Sequence, residues 1–192
     1  MKPLTRCPWC IHSQLERDYH DREWGVPQHD ATRLFEMLTL EGAQAGLSWR
    51  TVLQKREGYR RVFFDYELPA LAALSDRDLD ARLSDPGIVR NRLKVYSVRS
   101  NAQAALRLID QGHALNAWLW EVVDGRPLIN RWRYPTEVPA RSPLSDQLSK
   151  RLQGAGFKFV GSTICYAFMQ AVGMLNDHLT DCHRYSSLSE VQ

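Results

Sequence analysis

The chain has 192 residues, of which 44% are hydrophobic and 24% are charged, and its formal net charge is +3. This length predicts one domain over residues 1–192, with enough residues to bury a substantial core. The sequence has no run of about 18 apolar residues and no apolar stretch of a secretory signal near its start, so we expect no membrane partner and a cytoplasmic location. Four cysteines are too few for a disulfide scaffold at this length, which favours reduced thiols or metal ligands.

The apolar periodicity of the chain predicts helices and little else. Asp30 is a candidate N-cap for a helix through DATRLFEMLTLEGAQAG that stops at Gly46, and Ser75 with Asp78 resembles a capping box. The other predicted helices span residues 91–110, 114–123, 143–153 behind the cap residue Ser142, and 162–175. No segment alternates as a strand over more than a few residues, and no repeats are present, so we expect an all-α fold.

Glu41 stands on the apolar face of the helix that is predicted to begin after Asp30. It follows Leu34 by seven residues and Leu38 by three, so it shares their side of the helix. A carboxylate in that position is hydrogen-bonded, paired or functional; the alternative is a side chain at the edge of the stripe whose tip reaches water. The following EGAQAGLSW passes two glycines to Trp49, which would let an acid and an indole approach one cavity.

Cysteines and histidines near the two ends of the chain are candidate metal ligands. His178 and Cys182 are four residues apart, so on a helical turn both side chains would project to one side, as two ligands of a tetrahedral zinc do. Cys7 and His20 could supply the other two ligands. Such a site would tie together the two ends of the chain.

Other readings of the same residue types stay open. Cys10 and His183 are rival ligands to the four residues above. The run Cys7-Pro-Trp-Cys10 has the spacing of a thiol–disulfide motif, but that motif normally follows a buried strand, for which the chain leaves no room here. We therefore discount redox chemistry. The segment YHDREWGVP shows neither a helical nor a strand period, so structure alone explains it poorly.

Basic residues cluster in two parts of the chain, and the second cluster contains a glycine-rich turn. Residues 86–109 hold five basic side chains and no acid, and residues 131–159 hold six against two acids. LSKRLQGAGFKFVGSTICYAF reads as helix, turn and helix, in which Gly154, Gly156 and Gly161 allow close approach of a partner to the backbone and Lys158 adds a charge. This is the pattern of a helix-hairpin-helix that grips DNA phosphates. The alternatives are a solvated helix face and an ordinary packing joint.

Taken together, these stretches resemble the 3-methyladenine DNA glycosylase I family of the helix-hairpin-helix superfamily. The matching motifs are RCPWC, DYHDREWGVP, LFEMLTLEGAQAGLSW, GIVRNRLKV, GFKFVGSTICYAFMQAVGMLNDH and the closing His-x-x-x-Cys. They occur in order over nearly the whole chain. The resemblance implies a fold with a zinc site joining residues 1–30 to residues 174–192 and a helix-hairpin-helix over about residues 143–173.

The resemblance also implies residue roles. The implied ligands of one structural Zn²⁺ are Cys7, His20, His178 and Cys182, and the implied base pocket consists of Tyr19, Trp24, Glu41 and Trp49. The DNA contacts implied are those of the hairpin residues Gly154, Gly156, Lys158 and Gly161. Two residues depart from the family pattern: Glu16 stands where relatives often carry a tyrosine, and Cys10 leaves a spare thiol beside the metal.

The implied activity is excision of 3-methyladenine from double-stranded DNA by a monomeric enzyme that hydrolyses the N-glycosidic bond and releases the free base. Glu41 is expected chiefly to orient the flipped base through its exocyclic amine and, as the catalytic residue, to stabilise positive charge that develops on the sugar. Asp177, next to the expected ligand His178, is expected to be structural. No lysine follows the hairpin at Ser162 and Thr163, so the strand should not be nicked. Rival functions are a non-catalytic DNA-structure binder and a zinc-stapled protein-interaction domain.

Overall fold

The computed structural model describes residues 4–189, which form a mostly helical fold. Its α-helices are α1 (Gln14–Arg22), α2 (Ala31–Gln44), α3 (Trp49–Leu53), α4 (Arg56–Val62), α5 (Leu68–Ala72), α6 (Asp76–Arg82), α7 (Arg92–Asp110), α8 (Leu115–Trp120), α9 (Pro143–Gly154), α10 (Ser162–Ala171) and α11 (His183–Ser189). Short 3₁₀ turns lie at Pro8–Cys10, Phe64–Tyr66, Glu121–Val123 and Pro135–Glu137. None of the helices in this part of the chain is long and apolar enough to span a bilayer.

The expectation that the chain lacks strands was wrong in one detail. Strand β1 (Leu128–Ile129) pairs in parallel with β2 (Leu175–Asn176), with Leu128 opposite Leu175 and Ile129 opposite Asn176. Each strand has two residues, which is too short to produce an alternating pattern in the sequence. The pair fastens the segment after α10 to the segment after α8.

Three helix starts were predicted correctly from their cap residues. The Asp30 side chain accepts a hydrogen bond from the Arg33 amide at the start of α2. Ser75 and Asp78 form a reciprocal capping box at the start of α6. Ser142 accepts from the amide three residues later at the start of α9. These caps involve residues three apart in sequence, which is why they could be read locally.

The ends of two helices differ from the prediction. The helix expected over residues 162–175 ends at Ala171, because Gly173 adopts φ +72° and turns the chain. A Cβ at Gly173 would lie 2.4 Å from backbone atoms of Val26 and Pro27, so this turn packs directly on the segment after α1. The helix expected over residues 114–123 ends at Trp120 and continues as a 3₁₀ turn.

Helix α1 was not predicted, although it contains half of the segment YHDREWGVP. Its buried residues are Glu16, Tyr19 and His20. These polar and aromatic residues occupy the inward positions that apolar residues fill in an ordinary amphipathic helix, so the usual hydrophobic period is missing. Helices α3, α4, α5 and α11 were also not predicted, and each has seven residues or fewer.

Helix α2 lies at the centre of the fold. All of its residues from Leu34 to Ala43 are buried, including Glu36 and Glu41. It contacts α3, α7, α8 and α10. Glu36 is neutralised by ion pairs with Arg33, Arg56 and Arg60 at 2.8–3.0 Å. Glu41 has no such partner among residues 4–189, so it differs from Glu36 as an acid of this helix.

Helix α7 holds the turn between α9 and α10, residues 155–161, which we call the hairpin turn. The buried Asn101 side chain accepts a hydrogen bond from the Lys158 amide at 2.7 Å and donates one to the Lys158 carbonyl at 3.1 Å. The next residue, Phe159, adopts φ +55°. A Cβ at Gly42 of α2 would lie 3.1 Å from the Phe159 Cβ, so the hairpin turn also packs against the helix that carries Glu41.

Several of the clustered basic residues are paired with acids from neighbouring elements. Arg92 pairs with Asp80, Arg99 lies 2.7 Å from Asp76, and Arg151 lies 2.6 Å from Glu121. Ion pairing on the protein surface is therefore enough to explain these three arginines. Elsewhere in residues 4–189, Arg90, Lys150 and Lys158 have no carboxylate within 4.0 Å.

Candidate active site and metal centre

Cys7, His20, His178 and Cys182 lie together in the interior, and we call them the cysteine–histidine group. All four are buried, and one ligand atom from each lies within 4.8 Å of the others. The Cys182 Sγ is 3.4 Å from His20 Nε2 and 3.5 Å from His178 Nδ1, and the Cys7 Sγ is 3.8 Å from His178 Nδ1. Sulfur and nitrogen ligands of a tetrahedral Zn²⁺ are about 3.6 Å apart, given the usual metal–ligand bond lengths. The group could therefore hold a metal of that kind.

The surroundings of the two histidines fix which nitrogen faces the thiols. His20 Nδ1 lies 2.8 Å from Asp21 Oδ1, and His178 Nε2 lies 3.1 Å from the carbonyl oxygen of Trp24. In each ring the nitrogen that is turned away from the group therefore has an acceptor, as metal-binding histidines have. Arg6 in turn binds Asp21 at 2.7 Å. The orientation of both rings is thus set by the protein.

The two thiols of the group differ in proton affinity. Interaction with the neighbouring Cys7 thiol lowers the pKa of Cys182, and the contacts with His178 and His20 lower it further against the opposing effect of burial. The same interaction and burial raise the pKa of Cys7. The Leu179 amide also donates to the Cys7 Sγ at 3.5 Å. The pair therefore favours one thiolate, which is the form that binds metals.

The rival ligands lie outside this group. The Cys10 thiol is fully buried, donates to the Cys7 carbonyl at 3.1 Å, and has its pKa raised to about 11 by burial. His183 Nδ1 faces the Thr5 carbonyl at 2.9 Å. The predicted helical turn between His178 and Cys182 was wrong, because both residues lie in the loop between β2 and α11. The loop still brings the two side chains together.

A cavity of about 430 Å³ opens beside the cysteine–histidine group. Its wall contains Tyr19 from α1, Glu41 from α2, Trp49 from the start of α3, and Trp9 and Trp24 from the loops around α1. We call it the aromatic cavity. The rings of Tyr19 and Trp49 are 5.2 Å apart, as are those of Trp9 and Trp24. The four expected pocket residues Tyr19, Trp24, Glu41 and Trp49 therefore line one space.

Polar atoms in the wall of the aromatic cavity lack partners. Trp9 Nε1, Trp49 Nε1 and the Tyr19 hydroxyl are buried and make no hydrogen bond with any group in residues 4–189. Such atoms are rare in folded proteins and carry a desolvation cost of about 1–3 kcal/mol each unless something pairs with them. An apolar cavity with a few convergent polar groups is the usual form of a binding site for a small, flat molecule.

Glu41 is an ionisable group of the cavity whose proton affinity is strongly perturbed. It is 5% exposed, and no hydrogen bond to its side chain occurs within residues 4–189. Burial raises its pKa to about 8. The pKa of Tyr19 is also raised, by burial and then by the nearby Glu41. A perturbed acid in a cavity is a candidate functional group, because ordinary structural acids are paired as Glu36 is.

Asp177 also reaches the cavity wall, but the protein uses its hydrogen-bonding capacity fully. Asn130 Nδ2 and Trp132 Nε1 donate to one carboxylate oxygen at 2.6 and 2.8 Å. The Tyr166 hydroxyl and Gln170 Nε2 donate to the other at 2.6 and 2.8 Å. These bonds join the loop after β1 and helix α10 to the segment after β2, which supports the structural role expected for Asp177.

Glu16, which departs from the family pattern, does not line the cavity. It is buried on α1, accepts a hydrogen bond from the Ser13 hydroxyl at 2.7 Å and lies 3.3 Å from Arg50 of α3. It therefore joins α1 to α3 beneath Tyr19 and Trp49.

The predicted hairpin glycines differ in their surroundings. Gly154 and Gly161 have open space where a Cβ would be, whereas Gly156 adopts φ +96°, a conformation that favours glycine.

Comparisons with known proteins agree with this arrangement. Residues 9–185 match the family model described as methyladenine glycosylase. The chain belongs to the methyladenine glycosylase family. Within this family, it is 44% identical over 182 residues to DNA-3-methyladenine glycosylase 1 of Escherichia coli (strain K12), covering 95% of this chain and 97% of that protein. It is 43% identical to DNA-3-methyladenine glycosylase of Haemophilus influenzae, covering 93% and 96%.

Solved structures of the methyladenine glycosylase family have the same fold. A crystal structure of 3-methyladenine DNA glycosylase I superimposes with a TM-score of 0.92 at 46% identity, covering 93% of this chain and 98% of the other. The Staphylococcus aureus enzyme, whose structure concerns recognition of 3-methyladenine, has a TM-score of 0.90 at 33% identity, covering 95% and 97%. A variant in complex with 3-methyladenine also has a TM-score of 0.90, at 33% identity and covering 94% and 97%.

Sequence reasoning missed several members of the cavity wall, and the most informative of them is Trp9. This residue packs edge-on against Tyr19 and Trp24 and presents an unpaired indole nitrogen. Its position two residues after the expected ligand Cys7 was the available signal, because metal ligation would anchor that segment beside the cavity. Within the described residues, the structure thus joins the cysteine–histidine group and the cavity through Trp9, α1 and Trp24.

Proposed function

We propose that this chain is a DNA glycosylase that removes 3-methyladenine from alkylated DNA in base-excision repair. Its family membership and its similarity to relatives with that name support the proposal over more than nine tenths of the chain. The observation that carries it is the aromatic cavity, which combines facing rings, three unpaired donors and a buried acid. Neither a non-catalytic DNA binder nor a protein-interaction domain needs such a cavity.

The aromatic cavity suits a base that has been flipped out of the duplex. In DNA, 3-methyladenine carries a positive charge, so the faces of Trp49 and Tyr19 attract it by stacking and cation–π interaction, with Trp24 supporting the wall; each ring contributes on the order of 1 kcal/mol. Glu41 accepts a hydrogen bond from the exocyclic amine. The positive base lowers the pKa of Glu41 from its value of about 8 in the empty cavity, so the acid is ionised in the complex.

The reaction needs little chemical help, because the positive base is already a good leaving group. The electron pair of the bond between the sugar C1′ and the base nitrogen moves to the base, which leaves neutral. The sugar carbon gains positive charge, which the Glu41 carboxylate stabilises, and a water oxygen bonds to C1′ as its proton is released. With Ser162 and Thr163 after the hairpin turn and no lysine there, no Schiff base forms, so the strand stays intact.

The cysteine–histidine group is proposed to bind one structural Zn²⁺ through Cys7, His20, His178 and Cys182. The donor set, the spacing of the ligand atoms and the acceptors behind both imidazoles support this assignment. When bound, the ion supplies four fixed bonds between segments that are far apart in sequence. The chain's own contribution is to present the ligands and to hold Trp9 and Trp24 against the cavity.

DNA is proposed to bind across the hairpin turn, in a helix-hairpin-helix of residues 143–173. The open space beside Gly154 and Gly161, the positive φ of Gly156 and the Lys158 side chain support contact with phosphates. Asn101 holds the turn in place through the backbone of Lys158. We propose that the enzyme acts as a cytoplasmic monomer in which residues 1–192 form one domain.

Release of free base from methylated duplex DNA tests the proposal. Purified protein is incubated with the DNA, the released bases are separated by chromatography, and strand integrity is measured in the same sample. We expect free 3-methyladenine, abasic sites and no nicks. Salt-sensitive DNA binding without base release would indicate a non-catalytic binder. Absence of both would indicate an interaction domain.

A further inference from the structure

Glu41 and Trp49, two residues of the wall of the aromatic cavity, lie on either side of one exposed turn. Glu41 lies in the last turn of α2, and Trp49 is the first residue of α3. Between the helices, residues 45–48 are exposed, and we call them the connecting turn. Gly46 adopts φ +78° and has nothing within 4 Å of its Cβ position. The packing of the turn itself therefore does little to fix the distance between the two walls.

The end of α2 is only partly capped by its own backbone. The last carbonyl groups of a helix have no partners within it, and a cap usually supplies them. Here the Leu47 amide donates to the Gln44 carbonyl at 2.6 Å, but Ala45 at the cap position has φ −45° and ψ 114°, and its amide makes no capping bond. The carbonyls of Ala43 and Ala45 must therefore be satisfied by a more distant group or by water.

Lys94, in the first turn of α7, supplies that cap from a distant part of the chain. Its Nζ donates to the Ala43 carbonyl at 2.8 Å and to the Ala45 carbonyl at 2.6 Å. No carboxylate lies within 4.0 Å of this ammonium in residues 4–189, so the backbone carbonyls are its partners. A positive charge at a helix C-terminus is also favoured by the helix dipole. In the described part of the chain, apart from the hydrogen bonds within α2 itself, no other hydrogen bond from outside residues 40–52 reaches residues 43–48.

We propose that Lys94 is a positioning residue that sets the separation of Glu41 and Trp49 and thereby the affinity of the cavity for the base. The inference rests on the proposed function. Lys94 does not line the cavity, so it acts through the backbone at the end of α2 and at the first residue of the connecting turn. Loss of its two bonds would free the carbonyls of Ala43 and Ala45 and let the start of α3 move relative to α2.

The test compares Lys94→Met with Lys94→Arg, which keeps a positive donor. Lys55→Met is the matched control, because Lys55 Nζ also donates to a backbone carbonyl, that of Pro86 at 2.6 Å, and lies outside the cavity wall. Calorimetry measures the affinity for free 3-methyladenine without DNA. Excision kinetics and affinity for undamaged DNA are measured in parallel, with circular dichroism and zinc content as checks of folding.

For Lys94→Met we expect affinity for the free base to fall roughly tenfold, as for loss of a hydrogen bond to a charged group, and kcat/KM to fall by a similar factor. Lys94→Arg should stay within about threefold of the unsubstituted protein, and Lys55→Met should not differ from it. A lysine that merely stabilises the fold would change the unfolding temperature without this loss of base affinity.

Unchanged affinity of Lys94→Met for the free base would overturn the inference. So would a loss confined to DNA affinity, since Lys94 would then be a phosphate contact. If Lys94→Met does not fold, Lys94→Ala, which also has no donor, takes its place, and base affinity equal to that of the unsubstituted protein would overturn the inference equally. Failure of the unsubstituted protein to bind or release 3-methyladenine would instead contradict the proposed function.

Discussion

Replacing Glu41 by Gln should stabilise the folded protein at neutral pH while it impairs base binding. Glu41 is 5% exposed and has no hydrogen-bond partner in the described residues, and burial raises its pKa from 4.5 to about 8. Because this pKa is higher in the folded state, the folded protein holds a proton that the unfolded chain has released at pH 7. The contribution of protonated Glu41 to the free energy of unfolding is therefore fully present below about pH 4.5, and it is lost as the pH rises towards 8.

The size of this penalty follows from the pKa difference. Each pKa unit corresponds to about 1.36 kcal/mol. At pH 7, which lies well above the unfolded-state pKa of 4.5, burial of Glu41 therefore destabilises the folded protein by about 3 kcal/mol. Glutamine has nearly the same shape and carries no charge at any of these pH values. We expect Glu41→Gln to raise the free energy of unfolding by up to about 3 kcal/mol at pH 7 and by less than about 1 kcal/mol at pH 5.

Urea unfolding of both proteins between pH 5 and pH 8 measures this difference. Titration of other groups, including the cysteine–histidine group, contributes equally to both proteins and cancels in the difference. A difference that does not change with pH, or a variant that is less stable at pH 7, would refute the burial argument and show that the carboxylate makes a stabilising contact.

In functional assays, Glu41→Gln should weaken free-base binding by about 1.5–3 kcal/mol, with zinc content, helicity and affinity for undamaged DNA unchanged. Because the bond of the substrate is labile, excision should slow rather than stop.

Three further predictions concern the metal, the DNA and the backbone. Cys182→Ala should lose both bound zinc and stability, because ligation joins distant segments; elemental analysis and thermal unfolding check this, and a full zinc content in the variant would contradict it. Affinity for undamaged duplex should fall with salt at a log–log slope of about −0.9 per phosphate, and Lys158→Met should reduce that slope by about 1; a flat dependence would rule out phosphate contacts. Asp65 is held at φ 48° between two other residues of positive φ, so Asp65→Gly should raise the free energy of unfolding by up to about 1 kcal/mol in urea titrations. An unchanged or lower value would show that the left-handed conformation carries no net strain.

Features that depend on neighbours in sequence could be predicted from the sequence. The caps of Asp30, Ser75 and Ser142 were correct because a side chain binds an amide three residues away. The position of Glu41 on a buried face followed from the helical period. The membership of the family followed from long motifs in order, and the four residues of the cysteine–histidine group were chosen correctly as a cluster.

Features that depend on contacts between distant segments were decided only by the tertiary structure. The sequence could not show that Lys94 caps α2 across some fifty residues, that Trp9 completes the cavity, or that Asp177 is held by four donors. Nor could it show that α1 is a helix, because its inward face is made of Glu16, Tyr19 and His20 rather than of aliphatic residues. In each case the deciding interaction joins residues that no local period relates, so its energy exists only after the chain has folded.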